Sequence, residues 1–114
     1  MPAAAKALDA TFRALSDPTR RAVVQALGRG PATVSELARP FEMALPSFLQ
    51  HLRMLEESGL VATRKDGRVR TCTLQTETLA AARHWLDEQR ELWTTRLDQL
   101  DRLVLQLKDE EDCE

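Results

Sequence analysis

The stretch TVSELARPFEMALPSFLQHLRMLEESGLVATRKDGRVRTCTL, residues 33–74, decides the fold. Thr33-Val34-Ser35-Glu36 fits a capping box, in which Thr at N-cap and Glu at N3 each satisfy an orphan backbone N–H. Val34, Leu37, Ala38 and Phe41 then recur at helical spacing, and Pro40 breaks or loosens that helix near its end. Ala44-Leu45-Pro46 starts a second helix, because proline suits a first turn whose N–H has no partner anyway. Phe48, Leu52 and Leu55 point into the core. Gly59 suits the left-handed position after the last turn, and Leu60 packs back on the helix. Two strand patterns follow, Leu60–Thr63 and Arg68–Leu74, with Asp66-Gly67 between them as a two-residue hairpin turn.

A capped helix, a tight turn, a second helix (together about 33–58) and a basic hairpin (about 60–74) make the layout of a winged helix-turn-helix. That layout sets one helix into the DNA major groove. The fold expected is mainly α with a small β-hairpin wing. No nucleophile–base pair, phosphate loop or metal cluster competes with it. Neither histidine lies beside a Ser, Cys or acid at a spacing useful for acid–base work, so no enzyme is expected.

Upstream, Leu8, Phe12 and Leu15 mark a first amphipathic helix. Asp17 caps a second with Pro18 at its first position, and Ala22, Val23, Ala26 and Leu27 form its buried side. Arg20 and Arg21 are left with two uses, a phosphate or a salt bridge to nearby acids. Downstream, residues 76–108 read as one long helix. Leu79, Leu86, Trp93, Leu100 and Leu107 fall seven apart, and Trp85, Leu92, Leu97, Leu103 and Val104 widen the stripe. A domain this small does not cover such a stripe, so the expected partner is a second copy, with the first helix alongside. The dimer candidates are Leu8, Phe12, Leu86, Trp93, Leu97, Leu100, Val104 and Leu107. The open alternative is that the stripe covers only its own winged domain.

At 114 residues the chain reads as one domain, 1–114. Its net charge of −2 looks unpromising for nucleic acid, but the tail 109–114 holds five acids and no base, and the remainder carries +3. The hairpin sets Arg64, Lys65, Arg68 and Arg70 against Asp66. Local potential, not the total, governs phosphate affinity. No run of eighteen apolar residues suggests a membrane span, and Met1-Pro2-Ala3-Ala4-Ala5-Lys6 lacks the apolar core of a signal peptide. Two distant cysteines do not suggest a disulfide framework. The chain reads as cytosolic.

Three runs carry a resemblance: LSDPTRRAVVQAL (15–27), TVSELARPFEMALPSFLQHLRMLEESGLV (33–61) and KDGRVRTCTL (65–74). In that order they resemble the ArsR family of bacterial dimeric repressors over roughly residues 8–107. They fall closest to its short stand-alone members without metal-binding thiols. The resemblance implies about five helices and a wing, a homodimer through the terminal helices, and repression by occupying a double-stranded operator, an inverted repeat. It implies a bacterial cytoplasmic protein and names no inducer.

Departures from the family matter as much. Where metal-sensing relatives carry Cys-Val-Cys, this chain has Thr33-Val34-Ser35, and hydroxyls do not replace thiolates for zinc or arsenite. His84 and Asp87 match part of a second family metal site, but its later His is replaced by residues around Leu97. No metal and no cofactor are therefore expected. Cys72 reads as a strand filler and Cys113 as a free thiol in a frayed end, though a thiol-responsive regulator stays open. Relatives often place polar side chains where this chain has Ala44-Leu45 and Leu49. The DNA-contact candidates are Leu45, Ser47, Leu49, Gln50, His51 and Arg53 on the second helix, and Arg64, Lys65, Arg68 and Arg70 on the wing. Gln50 suits adenine and Arg53 guanine or phosphate. His51 either contacts DNA or braces the fold. Leu49 either packs on a thymine methyl beside Leu45 or fills the core. A winged helix that binds protein instead of DNA is the remaining alternative.

Overall fold

The computed structural model describes residues 3–112. The chain order is α1 (Ala3–Leu15), α2 (Pro18–Leu27), β1 (Ala32–Thr33), α3 (Val34–Ala38), α4 (Leu45–Glu57), β2 (Val61–Asp66), β3 (Val69–Leu74) and α5 (Thr76–Asp112). The described residues divide into two compact units, 3–82 and 83–112.

In the first unit the local signals work as physical chemistry requires. Asp17 caps α2 by accepting from the Arg20 N–H, with Pro18 in the first turn. The Thr33–Glu36 capping box forms in both directions. Gly59, at φ +83°, ends α4. Its N–H donates to the Glu56 carbonyl and the Leu60 N–H donates to the Leu55 carbonyl, which is the Schellman pattern. A Cβ at Gly59 would also meet Thr78 Oγ1 at 3.3 Å. That hydroxyl donates to the Gly59 carbonyl at 2.7 Å, tying the start of α5 to the end of α4.

The core gathers Ala14 of α1, Val23 and Leu27 of α2, Leu37 of α3, Phe48, Leu52 and Leu55 of α4, Leu60 between α4 and β2, Val61 of β2 and Cys72 of β3. Leu55 and Leu60, brought together by the Schellman turn, are both fully buried. Such side chains contribute about 1.5–3 kcal/mol each over the exposed state.

Several expectations need correction. The sheet has three strands in the order β1-β3-β2, because Ala32 and Thr33 pair with Cys72 and Thr71. A two-residue strand is too short to show alternation. The hairpin turn is Gly67-Arg68, since Asp66 pairs with Val69. Gly67 has φ +62° and no non-glycine residue among those described has positive φ, so this is the glycine-first two-residue turn. Arg68 therefore sits in the turn and not in the strand. Phe41 lies beyond α3, yet packs on the core and stacks with Phe48 at 5.6 Å. On α2, Ala26 is exposed and Arg20 is buried instead.

The second unit is the distal part of α5. The helix runs through the acidic segment to Asp112 and does not stop at Lys108. Its surface carries i,i+4 pairs, Arg83–Asp87 at 3.7 Å and His84–Glu88 at 2.6 Å. Exposed pairs of this kind add about 0.3–0.5 kcal/mol. Among the described residues no helix is long and apolar enough to cross a membrane. Cys113 lies outside them.

Candidate nucleic-acid interface

Helix α4 presents three kinds of side. Phe48, Leu52 and Leu55 face the core. Ser47, Gln50 and Arg53 are exposed, as expected of groups that read base edges or phosphates. No side-chain oxygen caps the helix at Ala44. Its first-turn dipole therefore meets no capping side chain, an arrangement that favours anions. The two remaining sides are flanks, and an arginine holds each of them.

On one flank, Arg20 of α2 is 7% exposed. Its Nε donates to the Ala14 carbonyl at 2.7 Å and its Nη2 to the Arg13 carbonyl at 3.1 Å. Its Nη1 lies 3.1 Å from Nδ1 of His51. Arg21 also donates to a carbonyl, that of Leu15. Among the described residues, neither arginine forms a side-chain salt bridge with an acid. Burial pushes the Asp17 carboxyl up. The Arg20 N–H, His51 and the Arg20 charge outweigh that and hold it below its ordinary 3.8.

On the other flank, Arg70 of β3 donates to Glu56 of α4 at 3.1 Å and to Thr63 Oγ1 at 3.4 Å. The register explains this. Thr63 pairs with Cys72 and Lys65 with Arg70, so with period two these side chains share the face that carries buried Cys72. Arg70 thus joins wing to recognition helix. The wing cations left toward solvent are Arg64, Lys65 and Arg68. Arg64 sits 3.9 Å from Asp66, a loose and exposed pairing.

Between α4 and the wing lies a cleft of about 350 Å³ whose walls include Val34, Leu45, Leu49, Arg68 and Val69. Leu45 is 55% exposed, while Leu49 is half-buried and packs on the core. Cys72 is fully buried. Burial and Glu56 push its thiol up, against the smaller effect of Arg70, so it has little thiolate character. Among the described residues no three His, Cys, Asp or Glu side chains gather as a metal site. His84 pairs with Glu88, and Asp87 with Arg83 and Arg90.

Of the dimer candidates, Leu8 and Phe12 of α1 are half-buried. Leu86, Trp93, Leu97, Leu100, Val104 and Leu107 of α5 are 46–61% exposed. The sequence offers Arg20 a phosphate or a nearby acid and offers Glu56 no role, whereas the structure pairs Arg20 with His51 and Glu56 with Arg70. Their partners lie 31 and 14 residues away, and no local pattern points to them.

Comparison with known proteins agrees with this geometry. A family model described as a helix-turn-helix domain matches residues 15–64. The HTH-type transcriptional regulator Rv2034 of Mycobacterium tuberculosis is 40% identical over 96 residues, covering 84% of this chain and 87% of the relative. The transcriptional repressor SdpR of Bacillus subtilis is 31% identical, covering 66% of this chain and 83% of its own. The crystal structure of an ArsR family transcriptional regulator superposes with a TM-score of 0.75 at 58% identity, covering 78% of this chain and 92% of that one. An ArsR-like regulator from Rhodococcus sp. RHA1 superposes with a TM-score of 0.74 at 28% identity, covering 86% and 92%. The helix pair, the basic wing and relatives matched over most of their length agree, and the chain belongs to the ArsR family of winged helix-turn-helix transcriptional regulators.

Proposed function

We propose that this protein is a cytoplasmic, DNA-binding repressor that occupies an operator as a homodimer and acts by occupancy, not catalysis. Helix α4 enters the major groove, with Gln50 and Arg53 toward base edges. Arg64, Lys65 and Arg68 meet neighbouring phosphates. The observation that carries this reading is that α4 exposes Ser47, Gln50 and Arg53 while the wing, tied to α4 through Arg70–Glu56, turns three cations to solvent. The relatives' names, transcriptional regulator and transcriptional repressor, support it. The exposed seven-residue stripe of α5 supports the pairing of two copies, and two-fold pairing calls for an inverted repeat. Buried Cys72 and the hydroxyls at Thr33 and Ser35 fit neither a thiol switch nor a soft-metal switch built on those positions.

Selection of bound sequences from a random duplex pool tests the proposal. The expected product is an inverted repeat with half-sites about one helical turn apart. A pool that shows no enriched motif after repeated rounds would overturn it.

A further inference from the structure

Histidine 51 stands at the edge of the reading surface, one turn after Ser47 and beside Gln50. Its Nδ1 lies 3.1 Å from Nη1 of Arg20. Two carbonyls, of Ala14 and Arg13, hold that guanidinium in place from its other nitrogens. A guanidinium can only donate, so Nδ1 must accept. A neutral imidazole with its lone pair at Nδ1 carries its hydrogen on Nε2. Asp17 does not reverse this. Its Oδ2 is 3.7 Å from Nδ1, beyond hydrogen-bond reach, and accepts from the Arg20 N–H at 3.1 Å. Among the described residues no protein group meets Nε2, and no buried side-chain nitrogen or oxygen lacks a partner, so Nε2 opens to solvent.

We propose that Arg20, as a positioning residue, holds His51 as the Nε2–H tautomer, and that His51 thereby acts as a neutral hydrogen-bond donor to an acceptor on the operator. This rests on the DNA-binding reading above. The acceptor is a phosphate oxygen or a base-edge N7 or O6. His51 lies on the flank of α4 and not at the centre of its exposed side, a position that suits the sugar–phosphate backbone. A donor fixed by a buried arginine reaches DNA already oriented, and loses less freedom on binding than a mobile side chain does.

Two measurements on the full chain test this. The first uses 15N-histidine and long-range 1H–15N correlation, with His84→Gln to assign His51. The expected spectrum has a bare Nδ1 and a protonated Nε2 at neutral pH. A proton on Nδ1 overturns the proposal, and this result does not depend on DNA binding. The second compares His51→Asn and His51→Gln on the selected operator. Asparagine keeps an acceptor where Nδ1 was and places nothing at Nε2; glutamine reaches the Nε2 position with an N–H. His51→Asn should bind about five- to tenfold more weakly with an unchanged melting temperature. His51→Gln should recover most of the loss. Neither should alter the salt slope, because a neutral donor releases no counterion. Wild-type affinity in His51→Asn, or no recovery in His51→Gln, overturns the proposal. Single methylphosphonate substitutions or 7-deazapurines in the operator identify the acceptor: whichever abolishes the difference between wild type and His51→Asn marks a phosphate or a base. A wild-type protein that binds no duplex would defeat the DNA-binding reading, while the tautomer would still be read in the first experiment.

Discussion

Residues 3–82 and residues 83–112 treat apolar side chains in opposite ways. Among the described residues, the first set leaves only Leu45 and Val69 exposed among its large hydrophobics; the second exposes ten, from Trp85 to Leu107. Leu45 and Val69 both line the cleft between α4 and the wing. The ten on α5 include the seven-residue repeat Leu86, Trp93, Leu100 and Leu107. Exposed apolar patches on this scale mark surfaces that something else covers. The difference teaches that each unit leaves a different kind of surface uncovered. The first has a small apolar cleft rimmed by cations, suited to DNA. The second has a long apolar stripe flanked by charges, which the proposed homodimer would cover with its own copy.

The sharpest way to break that division is to charge the stripe. Trp93→Glu with Leu100→Glu should yield a monomer in sedimentation, with residues 3–82 still folded. Its affinity for a two-half-site operator should fall about a hundredfold or more, because two linked contacts become one. A dimer in sedimentation would contradict the assignment of α5.

The converse change empties the core and leaves the stripe alone. Leu55→Ala should lower stability by about 2–5 kcal/mol, read by urea denaturation. The sedimentation behaviour of the folded fraction should stay that of the wild type.

Next come the arginines of the wing. Arg68 is exposed in the turn and should contact phosphate, so Arg68→Ala should flatten the salt dependence of binding by about one unit of slope. Arg70 is engaged with Glu56, so Arg70→Ala should change that slope less. It should instead cost about 0–1 kcal/mol of stability, since the pair is only partly buried. Equal slope changes in the two variants would remove the distinction.

The smallest effect is in acid. The Asp17 carboxyl is held below its ordinary 3.8 in the folded chain. A depressed carboxylate contributes stability above its unfolded pKa and loses it as pH falls through the folded one. Asp17 should therefore add stability at neutral pH that disappears below about pH 4. Asn also caps helices well, so Asp17→Asn should flatten the acid limb of a stability-against-pH curve with modest loss of capping. An unchanged acid limb would show that the charge contributes nothing.

Signals carried within a few residues were legible in the sequence. The Thr33–Glu36 box, the Asp17-Pro18 start and the Gly59 stop depend on neighbours within one turn, and all three form. Signals that depend on register or on distant partners were not. Asp66-Gly67 and Gly67-Arg68 are both competent two-residue turns, and only the pairing of Asp66 with Val69 chooses between them. That choice moves Arg68 into the turn. Arg20 looked like a surface cation, because nothing local shows that the carbonyls of Arg13 and Ala14 turn toward it. Leu49 had two open positions, and the structure places it half-buried against the core, leaving Leu45 as the exposed leucine of α4.

The central claim is that residues 3–82 read one half-site while α5 joins two copies. Anisotropy titration of the selected full-site duplex and of its isolated half-site, at one salt concentration, tests it directly. Two protomers per full site, bound about a hundred- to ten-thousand-fold more tightly than the half-site, is the result the account predicts. Equal affinity for the two duplexes, with one protomer on each, would contradict it.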